Sequence, residues 1–185
     1  INIDANPPLT RTFSFPVEPP ECFFIKTDGP VTGVLLQPEN EKNGVIIGDM
    51  RGGIVCINPL TGKEIWRKRI RGIYEKPPLL LQNEKGDPSF ALQNLNGTIR
   101  IFDDNGTEKS IIYPGKAKFT QITTYLESAK SQAINLAAAA TDGTVSLYSS
   151  SGTLLKRFVL EDITYIRGAI TMPESLLVVE TNSDK

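Results

Sequence analysis

The sequence contains no histidine, and that absence narrows its chemistry more than any other feature. Without imidazole there is no His general base, no Ser-His or Cys-His pair and no imidazole-ligated metal. Cysteine is nearly as scarce: Cys22 and Cys56 are the only two, too few for a disulfide framework or a zinc site. Cys56 falls in an apolar run and is expected to be an inert small hydrophobe, with a Cys22–Cys56 bridge as the alternative. An excess of one charge sign is missing too, since 20 Lys and Arg against 21 Asp and Glu leave a net charge of −1. Such a balance supplies no long-range field toward nucleic acid or an acidic membrane. No apolar run reaches bilayer length, so no direct membrane insertion is expected. Catalytic residues, cofactors and metals are accordingly not expected.

What the chain does have is glycine in a regular pattern. Residues 44–70 read GVIIGDMRGGIVCINPLTGKEIWRKRI, alternating short apolar runs with Gly, Asn and Asp turns in the manner of a β-meander. Gly52, Gly97 and Gly143 each open an apolar stretch and are spaced by 45 and 46 residues. Gly62, Gly106 and Gly152 occupy the following turn, spaced by 44 and 46 residues. A period near 45 with four strand-like segments per unit predicts β-propeller blades, because helical repeats of that length would show a 3.6-residue periodicity.

The predicted fold is therefore all-β: four-stranded antiparallel blades over 31–70, 78–113 and 119–160, and an unfinished one over 165–185. That is about three and a half blades, fewer than most rings close with. An incomplete ring is expected, its remainder supplied by the same polypeptide or by a protein partner. Residues 137–140, all alanine, favour helix by intrinsic propensity, yet they occupy a strand position in the repeat and precede a Thr141-Asp142-Gly143 turn, so strand is predicted. Residues 1–28 carry Pro7, Pro8, Pro16, Pro19 and Pro20 and read as extended chain. Within them, 10–15 alternates polar and apolar residues and could close a blade.

The run from Asp49 to Trp66, with its Thr61-Gly62-Lys63 turn and terminal tryptophan, resembles the repeat of quinoprotein-like (PQQ-like) propellers. Later copies keep both glycines but have Ser110 and Lys156 at the Trp66 position, which also suits WD40-like or integrin-type repeats. The resemblance implies a non-enzymatic member, since the central cofactor, calcium and paired cysteines of the quinoprotein dehydrogenases have no counterpart residues here. It further implies an extracytoplasmic setting, in the periplasm or a secretory lumen. Trp66 is expected to pack between blades.

Lys63, Arg67, Lys68, Arg69 and Arg71 place five basic residues within nine positions. They could form an anion or partner patch, or keep an outer strand from pairing edge to edge. Residues 83–87 and 103–106 look faintly like calcium loops but lack the alternating acidic spacing, and ordinary Asn, Asp and Gly turns account for them. Asn96-Gly97-Thr98 and Asn105-Gly106-Thr107 are formal glycosylation sequons in places that call for Asn-Gly turns anyway. The leading expectation is a non-catalytic scaffold for protein–protein interaction. A ligand-sensing or quinoprotein-type propeller binding a cofactor or sugar is the alternative.

Overall fold

The computed structural model describes residues 24–36, 44–126 and 131–160, together with the backbone of 163–169 and 176–181. The expected strand at 10–15, the proline-rich segment around it and Cys22 lie outside the described residues.

The described residues are all-β, each apolar run between turns becoming one strand. Strands β1 (Val31–Leu36), β2 (Val45–Asp49), β3 (Gly53–Ile57) and β4 (Glu64–Arg69) form an antiparallel sheet in chain order. The pattern repeats with β5 (Leu79–Gln82), β6 (Pro88–Gln93), β7 (Ile99–Asp103) and β8 (Glu108–Ile112). A third meander uses β9 (Phe119–Leu126), β10 (Ile134–Ala140), β11 (Thr144–Tyr148) and β12 (Leu154–Val159). An antiparallel hairpin follows, β13 (Ile163–Ala169) with β14 (Leu176–Thr181), beginning two residues before the expected Tyr165. One bridge, Ile134 opposite Gln82, makes the second and third meanders a continuous sheet. The repeat spacing gives no hint of it.

The repeat recurs in the backbone hydrogen bonds. In each meander the turn between second and third strands docks on the segment that enters the blade. Met50 N–H donates to Pro30 O at 2.8 Å, Leu95 N–H to Ile73 O at 2.8 Å and Thr141 N–H to Lys118 O at 2.9 Å. Each donor lies two residues before a turn glycine, Gly52, Gly97 or Gly143, with φ of 83°, 86° and 79°. The next turn differs by one residue: Asn58 N–H reaches Lys63 O, whereas Asp103 and Ser149 reach Thr107 and Thr153, four residues on. That extra residue accounts for the 44-residue spacing from Gly62 to Gly106.

Because side chains alternate along a strand, each sheet presents one face to the preceding blade and one to the next. Ile46, Ile54 and Cys56 of the first sheet meet Phe90, Leu92 and Phe102 of the second, with Tyr74 between. The opposite face of the second sheet sends Ala91, Ile99 and Ile101 against Leu136, Ala138 and Tyr148 of the third. Full burial of each large apolar side chain contributes about 1.5–3 kcal/mol. The run 137–140 is strand, paired to β9 on one side and β11 on the other. Alanine suits it: Ala138 and Ala140 face the second sheet while Ala139 joins Val145 on the far side. Small side chains let sheets approach on both faces, and this tertiary demand overrides the local helix preference.

Candidate protein-interaction surfaces

The seam between the first two blades is organised by Trp66. It lies opposite Cys56 in the β3–β4 register, half-buried, with its ring stacked on Phe90 at 6.2 Å and 9° between planes. Phe90 stacks in turn on Phe102 at 5.2 Å. The indole Nε1–H donates to Asp104 O at 3.0 Å, and a Cβ on Gly106 would come within 3.0 Å of the ring. Ser110 stands in the same relation to Gly152, where an added Cβ would fall 2.5 Å from its Oγ. A β4-type residue of one blade thus packs under the turn glycine of the next. Cys56 in this seam is a free thiol; burial, aided by the Asp104 charge, pushes its pKa up to about 11, so it is protonated and unreactive at neutral pH.

The basic run does not form one patch. Register puts Arg67 and Arg69 on the face away from the second blade and Lys68 on the face toward it. Glu64 takes both Nε and Nη2 of Arg67, at 3.0 and 2.8 Å, and Asp28 takes Arg69 Nη1 at 3.1 Å. The hydrogen bond that Arg67 donates to Glu64 raises the Arg67 pKa further. Lys63 and Lys68 are exposed, and Arg71 offers its carbonyl to the Tyr74 hydroxyl at 3.2 Å. Alternation thus divides the run between two faces, and Arg67 and Arg69 are paired with carboxylates.

The two turn segments with calcium-like composition spend their oxygens on their own backbones. Asn83 Oδ1 accepts the Lys85 and Asp87 N–H groups, both at 2.9 Å. Asp103 Oδ1 accepts Asn105 N–H at 3.0 Å and Thr107 N–H at 2.8 Å, and Oδ2 pairs with Lys109 at 2.9 Å. Among the described residues no three potential ligands gather around a metal position. For Asp103, burial alone would raise the pKa, but Lys109 and the turn N–H groups outweigh it and hold the carboxyl below its ordinary 3.8. A depressed folded-state pKa contributes stability above the unfolded value and loses it as pH falls through the folded one. The stability gap between the wild-type chain and Asp103→Asn should therefore shrink from about pH 6 to about pH 2. Denaturant melts across that range check it, and a gap that stays constant would refute the assignment.

Two surfaces stand out that composition does not reveal. The first is the outer face of the first sheet. Val34, Ile47 and Val55 lie in one register row and Leu36, Val45 and Ile57 in the next, all turned away from the second blade. Val55 and Ile57 are buried, yet Val34 is 56% exposed, Leu36 69% and Val31 53%. The innermost strand of the third meander buries Phe119, Ile122 and Tyr125 instead.

The second is a cleft of about 200 Å³ between the second and third blades. The linker after β8 supplies Tyr113 and Lys116; the third blade supplies Asp142, Thr144, Ser146 and Arg157. Arg157 Nε–H donates to Ser146 Oγ at 3.3 Å. Asp142 accepts Thr144 N–H at 3.0 Å, and its pKa is lowered chiefly by hydrogen bonds from Thr144, with Arg157 adding attraction. Also bridging these blades, Lys76 Nζ donates to Thr120 O at 2.8 Å in an exposed bond and Gln93 Nε2 to Phe119 O at 2.7 Å in a buried one. Burial lowers the Lys76 pKa.

No protein-family profile and no curated protein matches the sequence. Solved structures match it in shape. BBS1N in complex with ARL6DN aligns over 86% of this chain and 51% of its own length, with a TM-score of 0.64 and 12% identity. BamB from Moraxella catarrhalis aligns over 82% and 45%, with a TM-score of 0.54 and 15% identity. The RRP9 WD40 repeats align over 73% and 40%, with a TM-score of 0.54 and 8% identity. The chain thus spans about half the length of these structures, and what it shares with them is the β-propeller fold.

Proposed function

We propose that this chain is a non-catalytic β-propeller scaffold that mediates protein–protein interaction within a larger protein or complex. The observation that carries the reading is the apolar margin of the first sheet, where Val31, Val34 and Leu36 are each more than half exposed. Exposed apolar patches of this kind mark surfaces that another protein segment covers, and the next blade of a propeller or a separate subunit would cover this one. The fold supports it: BBS1N, similar in shape, was solved in complex with ARL6DN. The absence of histidine from the sequence argues against the commonest acid–base chemistry and favours a binding role.

Sedimentation of the 20.3 kDa chain tests the proposal. Self-association at tens of micromolar is expected, about tenfold weaker in a Val34→Glu/Leu36→Glu variant, because charge on a face that must be buried opposes its burial. A wild-type chain that sediments as a 20.3 kDa monomer with a cooperative thermal transition would overturn it.

A further inference from the structure

At the cleft between the second and third blades the repeat is broken. Three residues after the turn glycine, the second blade has Arg100 and the third has Ser146. Both face the preceding blade, and both lie opposite the outer strand, Arg100 across from Ile111 and Ser146 across from Arg157. In the second blade the long side chain fills the space. Its guanidinium pairs with Glu108, two residues after Gly106, and lies near Tyr74. In the third blade the short serine leaves the space open. Leu154, two residues after Gly152, stands where Glu108 would, so the internal carboxylate is missing as well.

We infer that this cleft is a binding site for a carboxylate-bearing peptide segment, the guest acid taking the place that Glu108 fills one blade earlier. Arg157 and Lys116 supply the cations. Arg157 uses Nε on Ser146, and neither side chain forms an ion pair with another described residue, so the Nη groups and Nζ are available to a guest. A guanidinium offers the paired donors that a planar carboxylate accepts. Asp142 at the mouth sets an upper limit on guest charge: two cations against one carboxylate suit a single negative charge better than a phosphate dianion. Tyr113, 69% exposed beside Pro114, gives the flanking peptide an apolar wall. The inference rests on the scaffold reading but concerns a different face of the molecule.

The experiment uses the full chain and three fluorescein-labelled, C-terminally amidated octapeptides. They are identical except for a central glutamate, glutamine or phosphoserine. The glutamate peptide should bind on the order of tenfold more tightly than the glutamine peptide, as expected for a charge-assisted pair, with the preference declining as salt is raised. Arg157→Gln, an exposed position, should abolish the preference. So should Ser146→Arg/Leu154→Glu/Arg157→Ile, which copies Arg100, Glu108 and Ile111 of the second blade into the third and closes the cleft. Equal binding of the glutamate and glutamine peptides, binding of neither at millimolar concentration, or a preference that survives Arg157→Gln overturns the inference. Tighter binding of the phosphoserine peptide also overturns it, and assigns the cleft to phosphopeptides. Because Val34 and Leu36 are remote from the cleft in sequence and lie on the face of the first sheet turned away from the second blade, the glutamate preference should persist in Val34→Glu/Leu36→Glu. Failure of the cleft and failure of the scaffold reading are thereby separate results.

Discussion

Replacing Trp66 with alanine is expected to lower the stability of the chain by about 3 kcal/mol, the lower end of the range for deleting a large aromatic, because the ring is half-buried. Three losses coincide at that position: the stacked contact with Phe90, the hydrogen bond to Asp104 O and the van der Waals contact with Gly106. The cavity would open between blades, where two independent sheets can relax only by sliding, so recovery by collapse should be small. Trp66→Phe keeps ring stacking but not the hydrogen bond and should recover more than half of the loss. Far-ultraviolet circular dichroism melts measure both variants. A Trp66→Ala chain that melts with the wild type would place the stability of the seam elsewhere, in Tyr74, Phe90 and Phe102.

Gly143→Ala should be as damaging, by about 2–4 kcal/mol, for a different reason. Its φ of 79° belongs to the left-handed region, which costs an L-residue about 1–2 kcal/mol. An added Cβ would also lie 2.2 Å from Leu160 O, backbone that cannot move without breaking the Leu160 N–H to Gly143 O bond of 3.0 Å. Gly115 is the control. It has a similar φ of 69° but nothing within 4 Å of an added Cβ, so Gly115→Ala should cost only the backbone term, about 1 kcal/mol. Equal losses in the two variants, measured by urea denaturation, would show that the dihedral alone matters and that the close carbonyl approach does not.

Strand order, the meander topology and the turn glycines were legible in the sequence because each is a local matter. Period-two alternation marks a strand, and Gly with Asn or Asp marks a turn whatever lies beyond it. Even the alanine run 137–140 could be placed, since the repeat supplies the context that its own propensity lacks. The basic run from Lys63 to Arg71 was visible as composition, but not its division by strand alternation, with Lys68 on one face and Arg67 and Arg69 on the other, nor the pairing of Arg69 with the distant Asp28. Three features were decided by tertiary structure alone: the Ile134–Gln82 bridge between blades, the exposed margin at Val34 and Leu36, and the cleft at Ser146 and Arg157. Each depends on which side chains, from segments tens of residues apart, meet across one gap. A serine at position 146 reads as an ordinary strand residue until the neighbouring blade shows that Arg100 fills the equivalent space, and no local pattern can report a volume that is bounded by two sheets.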